Sequence, residues 1–100
     1  MVLKDVINDK KIWKDIKRPL DHKNFYDKEH NCVLELYKDF VYDAKVLRVI
    51  YISTISKYIE EEGKMSVYSS RSSVYNIDKK GVPDKYMNAE VVVLSEFIEF

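Results

Sequence analysis

The spacing of apolar side chains over residues 32–62 predicts a long amphipathic helix in the centre of the chain. The segment contains no Gly, Pro or Asn, and Gly63 follows it directly. Its apolar positions recur every three or four residues, which is the period of a helix that buries one face, and glycine is common at a helix end. The apolar stripe consists of Val33, Leu36, Phe40, Ala44, Leu47, Ile50, Ile55 and Tyr58.

Two features of this segment favour β-strands instead. Residues 46–55 contain six β-branched side chains, which pack well on a pleated sheet. The three glutamates over residues 60–62 would also place negative charge at the C-terminal end of the helix, where the helix dipole disfavours it. We predict the helix, with Asp43 as the place where it would break.

Shorter elements are predicted on both sides of the central helix. Asp9 is a suitable N-cap for a helix over residues 10–17, and Arg18 precedes a proline, which ends that helix. Beyond Gly63, residues 65–68 and 73–77 are predicted as two strands around a polar turn, and residues 89–100 as a third. The predicted fold class is therefore α+β: N-terminal helices, including the long one, followed by a small antiparallel β-sheet. If the tail is helical instead, the alternative is an all-α bundle.

Length and composition indicate one globular domain over residues 1–100, because the chain contains no repeat and no linker. Its 17 basic and 17 acidic side chains give zero formal net charge, which excludes a polybasic protein that wraps nucleic acid and an acidic mimic of nucleic acid. The single cysteine excludes an intramolecular disulfide. No apolar run is long enough to cross a bilayer, and polar residues occupy the place of a signal peptide's apolar run. We therefore expect a cytoplasmic protein without membrane contact.

One stretch of the sequence carries metal-ligand chemistry. Two histidines, one thiol and two carboxylates fall close together, namely Asp21, His22, Asp27, His30 and Cys32. Side chains of these types bind zinc. Their spacing matches no standard ligand pairing, and no second ligand pair follows. Exposed histidines beside a buried cysteine explain the stretch better, so we expect no metal and no cofactor, with His22, His30 and Cys32 as weak candidates for a metal site.

The region of residues 64–86 is a candidate binding surface. It contains five basic and two acidic side chains, interleaved with three tyrosines. Such a composition suits single-stranded nucleic acid, because cations attract phosphates and rings stack on bases. A run of serines surrounds Arg71, either as a solvated turn or as a tip that contacts phosphate or carboxylate. The candidate binding residues are Tyr68, Arg71, Tyr75, Lys79, Lys80 and Tyr86.

No motif in the sequence indicates catalysis. With only two glycines, a glycine-rich phosphate loop is excluded, and no pattern selects a catalytic pair. We expect a non-catalytic module that binds a partner protein or a second copy of itself as a homodimer, since its eight tyrosines are typical of interface cores. An accessory protein or inhibitor from a virus, phage or mobile element would fit. The alternative is a regulatory nucleic-acid-binding module that uses residues 64–86, and a small metal-dependent enzyme stays open.

Overall fold

A computed structural model describes residues 1–53, 56–68, 71–79 and 81–100, and over these ranges the chain forms two β-sheets and three short helices. The strands are β1 (Lys23–Asp27), β2 (Cys32–Asp39), β3 (Ala44–Tyr51), β4 (Lys57–Ile59), β5 (Lys64–Val67), β6 (Arg71–Asn76), β7 (Val92–Val93) and β8 (Glu96–Glu99). The helices are α1 (Leu3–Ile7), α2 (Lys10–Asp15) and α3 (Asp84–Met87), and a 3₁₀ turn covers Glu60–Glu62.

The predicted α+β fold class with its central helix over residues 32–62 is wrong, and so is the all-α alternative, because the described residues form mostly β-strands. The segment forms β2, β3, β4 and the 3₁₀ turn instead. Its period of three and four residues arises because β2 and β3 bury apolar side chains on both faces of the sheet, as the neighbours Val33 and Leu34 do. A strand that is buried on both faces lacks the simple apolar–polar alternation of a half-exposed strand. The β-branched residues of β3 were the better guide to its structure.

The turn between β2 and β3, over residues 40–43, is stabilised without glycine. Asp43 adopts the left-handed backbone conformation with φ +49°, which aspartate tolerates better than most residues. Asp39 Oδ1 accepts hydrogen bonds from the backbone N–H groups of Val41 and Tyr42 at 3.0 and 3.3 Å. The turn is concealed in the sequence because none of its residues is a glycine or a proline.

The five-stranded sheet is antiparallel throughout, in the order β6-β3-β2-β1-β7, and the three-stranded sheet has the order β4-β5-β8. In the smaller sheet β5 and β8 run parallel. The strands predicted over residues 65–68 and 73–77 correspond to β5 and β6, but these lie in different sheets and form no hairpin with each other. The tail forms strands, as expected, although it contributes β7 to one sheet and β8 to the other.

The helices are short and lie in the N-terminal part and before β7. The helix predicted after Asp9 is confirmed as α2, and Asp9 accepts a hydrogen bond from the Lys11 N–H at 2.9 Å, as an N-cap does. Trp13 Nε1 donates to the carbonyl oxygen of Ile7 at 2.7 Å, which fixes α2 against α1. Within the described ranges, no helix combines the length and the hydropathy that are needed to cross a bilayer.

The five-stranded sheet is the middle layer of the fold. One face packs against the three helices in a core that includes Leu3 of α1, Trp13 of α2 and Tyr86 of α3. The other face packs against the smaller sheet in a second core that consists of Val33, Ile50, Met65, Val67 and Leu94. Two different cores therefore share the same central strands, which explains why these strands are apolar on both sides.

Candidate functional site

The outer side of β6 is a free sheet edge. Within the described ranges, no strand pairs with β6 on the side away from β3. The N–H of Ile77 donates to the carbonyl oxygen of Lys45 at 2.9 Å, which sets the alternation of hydrogen bonds along the β3–β6 ladder. By that alternation, the peptide N–H and C=O groups of Ser72 and Val74 point away from β3. They are placed to pair with an added strand.

Apolar side chains border this edge. Val74 of β6 is 59% exposed, and in the β2–β3 turn Val41 and Tyr42 are 84% and 80% exposed. Tyr42, Val74 and the buried Val46 line one shallow concavity of about 310 Å³. Tyr42 of the turn and Val74 of β6 therefore belong to one continuous surface.

The concavity beside β6 is acidic. Asp39, Asp43 and Asp78 line it together with Lys79. All three aspartates contribute negative charge to the concavity, and Asp39 Oδ1 also accepts two backbone hydrogen bonds from its own turn. We call the outward edge of β6 together with this concavity the β6 surface, and its members are Ser72, Val74, Tyr42, Asp43 and Asp78.

A chain of ion pairs fixes β3 beside the β6 surface. Arg48 of β3 lies opposite Val74 in the β3–β6 register. Its Nε is 3.1 Å from Glu35 Oε1, an ion pair in which the N–H is too poorly aligned for a hydrogen bond, and its other guanidinium end hydrogen-bonds Glu99 of β8. Burial lowers the pKa of Arg48, but the contacts with Glu99 and Glu35 outweigh burial and raise the pKa overall. The contact between Arg48 and Glu99 joins the two sheets next to the free edge of β6.

Arg71 and Lys79, the two candidate basic residues within the described ranges, do not form one positive patch. Arg71 is exposed at the start of β6, and Lys79 lies in the turn after it, so the two are at opposite ends of the strand. Lys79 also lines the acidic concavity beside Asp43 and Asp78, which offset its charge. Lys80 lies outside the described residues. Arg71 and Lys79 are thus separated by the length of β6, and two aspartates offset the charge of Lys79.

The three candidate tyrosines are also separated. Tyr68 is at the surface and stacks on Phe100, with ring centroids 4.4 Å apart and planes 3° from parallel. Tyr75 packs against the helix-side core, and Tyr86 is only 2% exposed within it. Burial raises the pKa of Tyr86, and its hydrogen-bonding contact with Tyr51 adds to the rise. Of the three rings, Tyr68 is the one with a surface position for stacking.

The weak metal candidates lie at opposite ends of β1. His22 precedes this five-residue strand, whereas His30 follows it and Cys32 pairs with its last residue, Asp27. An extended strand of that length spans about 17 Å, so the two histidines are too far apart to share a metal ion. No group of three or more potential His, Cys, Asp or Glu ligands occurs in the part of the chain that the structure describes.

His30 and Cys32 instead take part in the β1–β2 turn and the core. The fully buried Asp27 accepts a hydrogen bond from the backbone N–H of His30 at 3.1 Å. Its other carboxylate oxygen lies 2.7 Å from His30 Nδ1. Cys32 is fully buried, and burial, helped by the charge of Asp27, raises the pKa of its thiol to about 12. A thiol that is neutral and enclosed in this way lacks the chemistry of a nucleophile.

Four lysines that sequence reasoning missed line one concavity together with Trp13. Lys10, Lys14, Lys38 and Lys45 line a concavity of about 370 Å³ with Trp13, and Lys45 Nζ lies 5.2 Å from the ring centroid. No carboxylate in the described ranges forms an ion pair with any of them. Two of these lysines are visible in the sequence as part of the lysine-rich helix α2. The other two, Lys38 and Lys45, come together only through the pairing of β2 with β3.

No protein-family model matches the chain, and searches against curated proteins and solved structures find no significant match.

Proposed function

We propose that the protein is a non-catalytic binding module and that its β6 surface receives an extended segment of a partner protein by strand addition. The observation that carries the proposal is the free edge of β6, where the outward peptide groups of Ser72 and Val74 lie beside exposed apolar side chains. An added strand forms main-chain hydrogen bonds with such an edge, and its alternate side chains enter the neighbouring pocket.

The chemistry of the β6 surface defines the chemistry of the partner segment. Val74 and Tyr42 offer an apolar contact, and Asp43 and Asp78 add negative charge around it. We expect a segment whose side chains on one face include an apolar residue next to a lysine or arginine, because opposite charges guide the encounter and fix the register. Natural proteins protect a free edge with charges or prolines, and β6 has only Arg71 at its first position for this purpose.

The test compares two valine-to-lysine changes on opposite edges of the five-stranded sheet. Val74→Lys places a long cation in the acidic pocket and against the docked strand, whereas Val92→Lys makes the same change at a similarly exposed position on β7. With each protein as bait in a lysate of its source cells, we expect Val74→Lys to lower capture of the partner about tenfold, and Val92→Lys to leave it unchanged. Equal capture by both variants would contradict the proposal.

Sedimentation velocity on the purified protein distinguishes the two kinds of protein partner. A dimer that Val74→Lys dissociates and Val92→Lys retains identifies the docked strand as a second copy of the chain, the homodimer expected from the sequence. A monomer in both cases assigns the captured strand to a different protein. The accessory or inhibitory role and the cytoplasmic location stay predictions.

The nucleic-acid alternative has its best support away from residues 64–86. The four lysines beside Trp13 form a cationic concavity in which no carboxylate of the described ranges pairs with them, and such a concavity attracts phosphate groups. In the same capture experiment, partners that disappear after nuclease treatment, and also when Lys38 and Lys45 are both changed to alanine, would favour this alternative. Capture that resists nuclease and depends on Val74 favours the strand-addition proposal.

A further inference from the structure

The four lysines beside Trp13 form two pairs of like charges, and each pair is placed unfavourably in its own element. Lys10 and Lys14 lie four residues apart on α2, whereas Lys38 and Lys45 lie directly opposite each other in the β2–β3 register. Like charges at either spacing destabilise the element that carries them. The packing of α2 against the sheet brings both pairs to one concavity, which we call the lysine concavity.

The acidic residues next to these lysines in the sequence do not pair with them. Asp9 caps α2, and the Asp15 carboxylate lies 3.7 Å from Lys23 Nζ. Asp39 lines the acidic concavity of the β6 surface. Within the described ranges, no carboxylate forms an ion pair with any of the four lysines. Proteins break local rules of this kind mainly at functional sites, and a bound anion would relieve the repulsion.

The lysine concavity and the β6 surface lie on opposite faces of the five-stranded sheet. Lys45 and Val46 are neighbours in β3, and successive side chains of a strand point to opposite faces. Lys45 lines the lysine concavity, whereas Val46 lines the concavity of the β6 surface. Ligand binding at the lysine concavity therefore does not depend on partner binding at the β6 surface.

The shape of the lysine concavity favours a compact anion over a nucleic-acid strand. Its volume is about 370 Å³, and Trp13 at its base is only 4% exposed, with Lys45 Nζ 5.2 Å from the ring centroid. A base of single-stranded nucleic acid needs an exposed ring for stacking, and Trp13 does not offer one. An ammonium group on a flexible stem binds phosphate as a point charge, so several lysines suit several adjacent phosphates.

From these observations we infer that the lysine concavity binds a small anion that carries two or more adjacent phosphate groups. Lys10 and Lys14 contact the anion from the helix, and Lys38 and Lys45 contact it from the sheet. The concentration of four cations also raises the local concentration of such an anion before it binds.

Three probes test the inference on the unmodified protein: tripolyphosphate, inorganic phosphate and a thymidine pentanucleotide, whose phosphodiester charges are spread along an extended backbone. We follow the backbone amide signals by NMR during titration with each probe at low ionic strength. We expect saturable shifts that centre on residues 10, 14, 38 and 45, and a dissociation constant for tripolyphosphate that is about tenfold lower than those for the other two probes. Equal affinities, shifts centred elsewhere, no saturable shift or tighter binding of the pentanucleotide would overturn the inference.

A matched pair of double variants assigns binding to the lysine concavity. Lys38→Gln with Lys45→Gln removes two charges and keeps much of the stem that packs beside Trp13, so we expect the affinity for tripolyphosphate to fall about tenfold. Lys28→Gln with Lys57→Gln removes the same charge at exposed positions outside the concavity, and the affinity should change by less than about twofold. Equal losses in both variants would overturn the inference.

The first double variant is expected to fold, because it removes like charges that face each other across two strands. Urea unfolding checks this expectation. If that variant does not fold, the comparison of the three probes on the unmodified protein decides the inference by itself.

Adenosine triphosphate and adenosine monophosphate distinguish the sources of the phosphate groups. Equal affinities for adenosine triphosphate and tripolyphosphate would assign recognition to the adjacent phosphates alone. A preference of tenfold or more for adenosine triphosphate would identify a nucleotide as the source and would still support the inference. Equal affinities for the triphosphate and the monophosphate would overturn it, because adjacent phosphates would then contribute nothing.

Discussion

Ionisation of Cys32 is predicted to weaken the fold at alkaline pH. Cys32 is fully buried in the helix-side core, and burial, together with the charge of Asp27, raises the pKa of its thiol from 9.0 to about 12. In the unfolded chain the thiol ionises near its ordinary pKa. Between these two values the unfolded protein binds fewer protons than the folded protein, so stability is complete below pH 9 and falls as the pH rises through this window.

The magnitude follows from the two pKa values. A pKa that rises from 9.0 to about 12 on folding corresponds to a loss of about 4 kcal/mol in the free energy of unfolding. The loss is complete once the thiol of the folded protein also ionises. At pH 10, one unit above the unfolded value, the loss is roughly 1 kcal/mol. Burial also raises the pKa values of Tyr26, Tyr37 and Tyr86, and these tyrosines weaken the fold in the same direction at higher pH.

A Cys32→Ala variant separates the thiol from the tyrosines, which are identical in both proteins. Urea unfolding at pH 8 and pH 10 gives the free energy of unfolding of each protein. At pH 8 we expect the variant to be less stable by about 1 kcal/mol, because it loses the packing of a buried sulfur atom. At pH 10 this difference should shrink by roughly 1 kcal/mol, since only the wild-type protein has a thiol to ionise. A difference that is the same at both pH values would refute the reasoning.

Two further substitutions test the turn and the core by urea unfolding. Asp27→Ala removes the buried carboxylate that contacts the backbone N–H and Nδ1 of His30, and we expect a loss of about 2 kcal/mol. His30→Ala should cost less, because Asp27 then still accepts the backbone hydrogen bond, and an equal or larger cost would contradict this account of the turn. Leu47→Ala deletes a fully buried side chain of the helix-side core and should lower stability by about 2–5 kcal/mol. The exposed Val41→Ala serves as its control and should change stability by less than about 0.5 kcal/mol.

The sequence predicts the local interactions of the fold well. Asp9 caps α2 because its side chain reaches an N–H only two residues away, and no distant contact is needed for that hydrogen bond. Gly63 was expected to end a helix, and it does adopt the left-handed conformation, with φ +63°, at the end of the 3₁₀ turn. The element before Gly63 is a 3₁₀ turn and not the predicted helix. The left-handed backbone at position 63 was nevertheless indicated by the glycine in the sequence.

The central strands were missed because tertiary packing overrides their periodicity. Val33 faces the smaller sheet and Leu34 faces the helices, so their side chains are buried in opposite directions. A run of this kind satisfies the spacing of a helix and of a doubly covered strand equally well. Two non-glycine residues with a left-handed backbone, Asn31 and Asp43, mark the turns that separate β1, β2 and β3, and neither is the glycine that would reveal a turn in the sequence.

The β6 surface depends on the topology of the sheets in the same way. Val74 is exposed because β6 is the last strand on its side of the sheet, and no local pattern reveals which strand occupies an edge. Tyr42 joins Val74 only because the β3–β6 pairing brings the β2–β3 turn next to Asn76. One sequence feature did point to this surface: residues 40–42 are three successive large apolar residues between Asp39 and Asp43. In a helix such a run would be divided between two faces, whereas in a turn it projects into solvent. The exposure of such a run is the reason why we propose this surface as a contact for another protein chain.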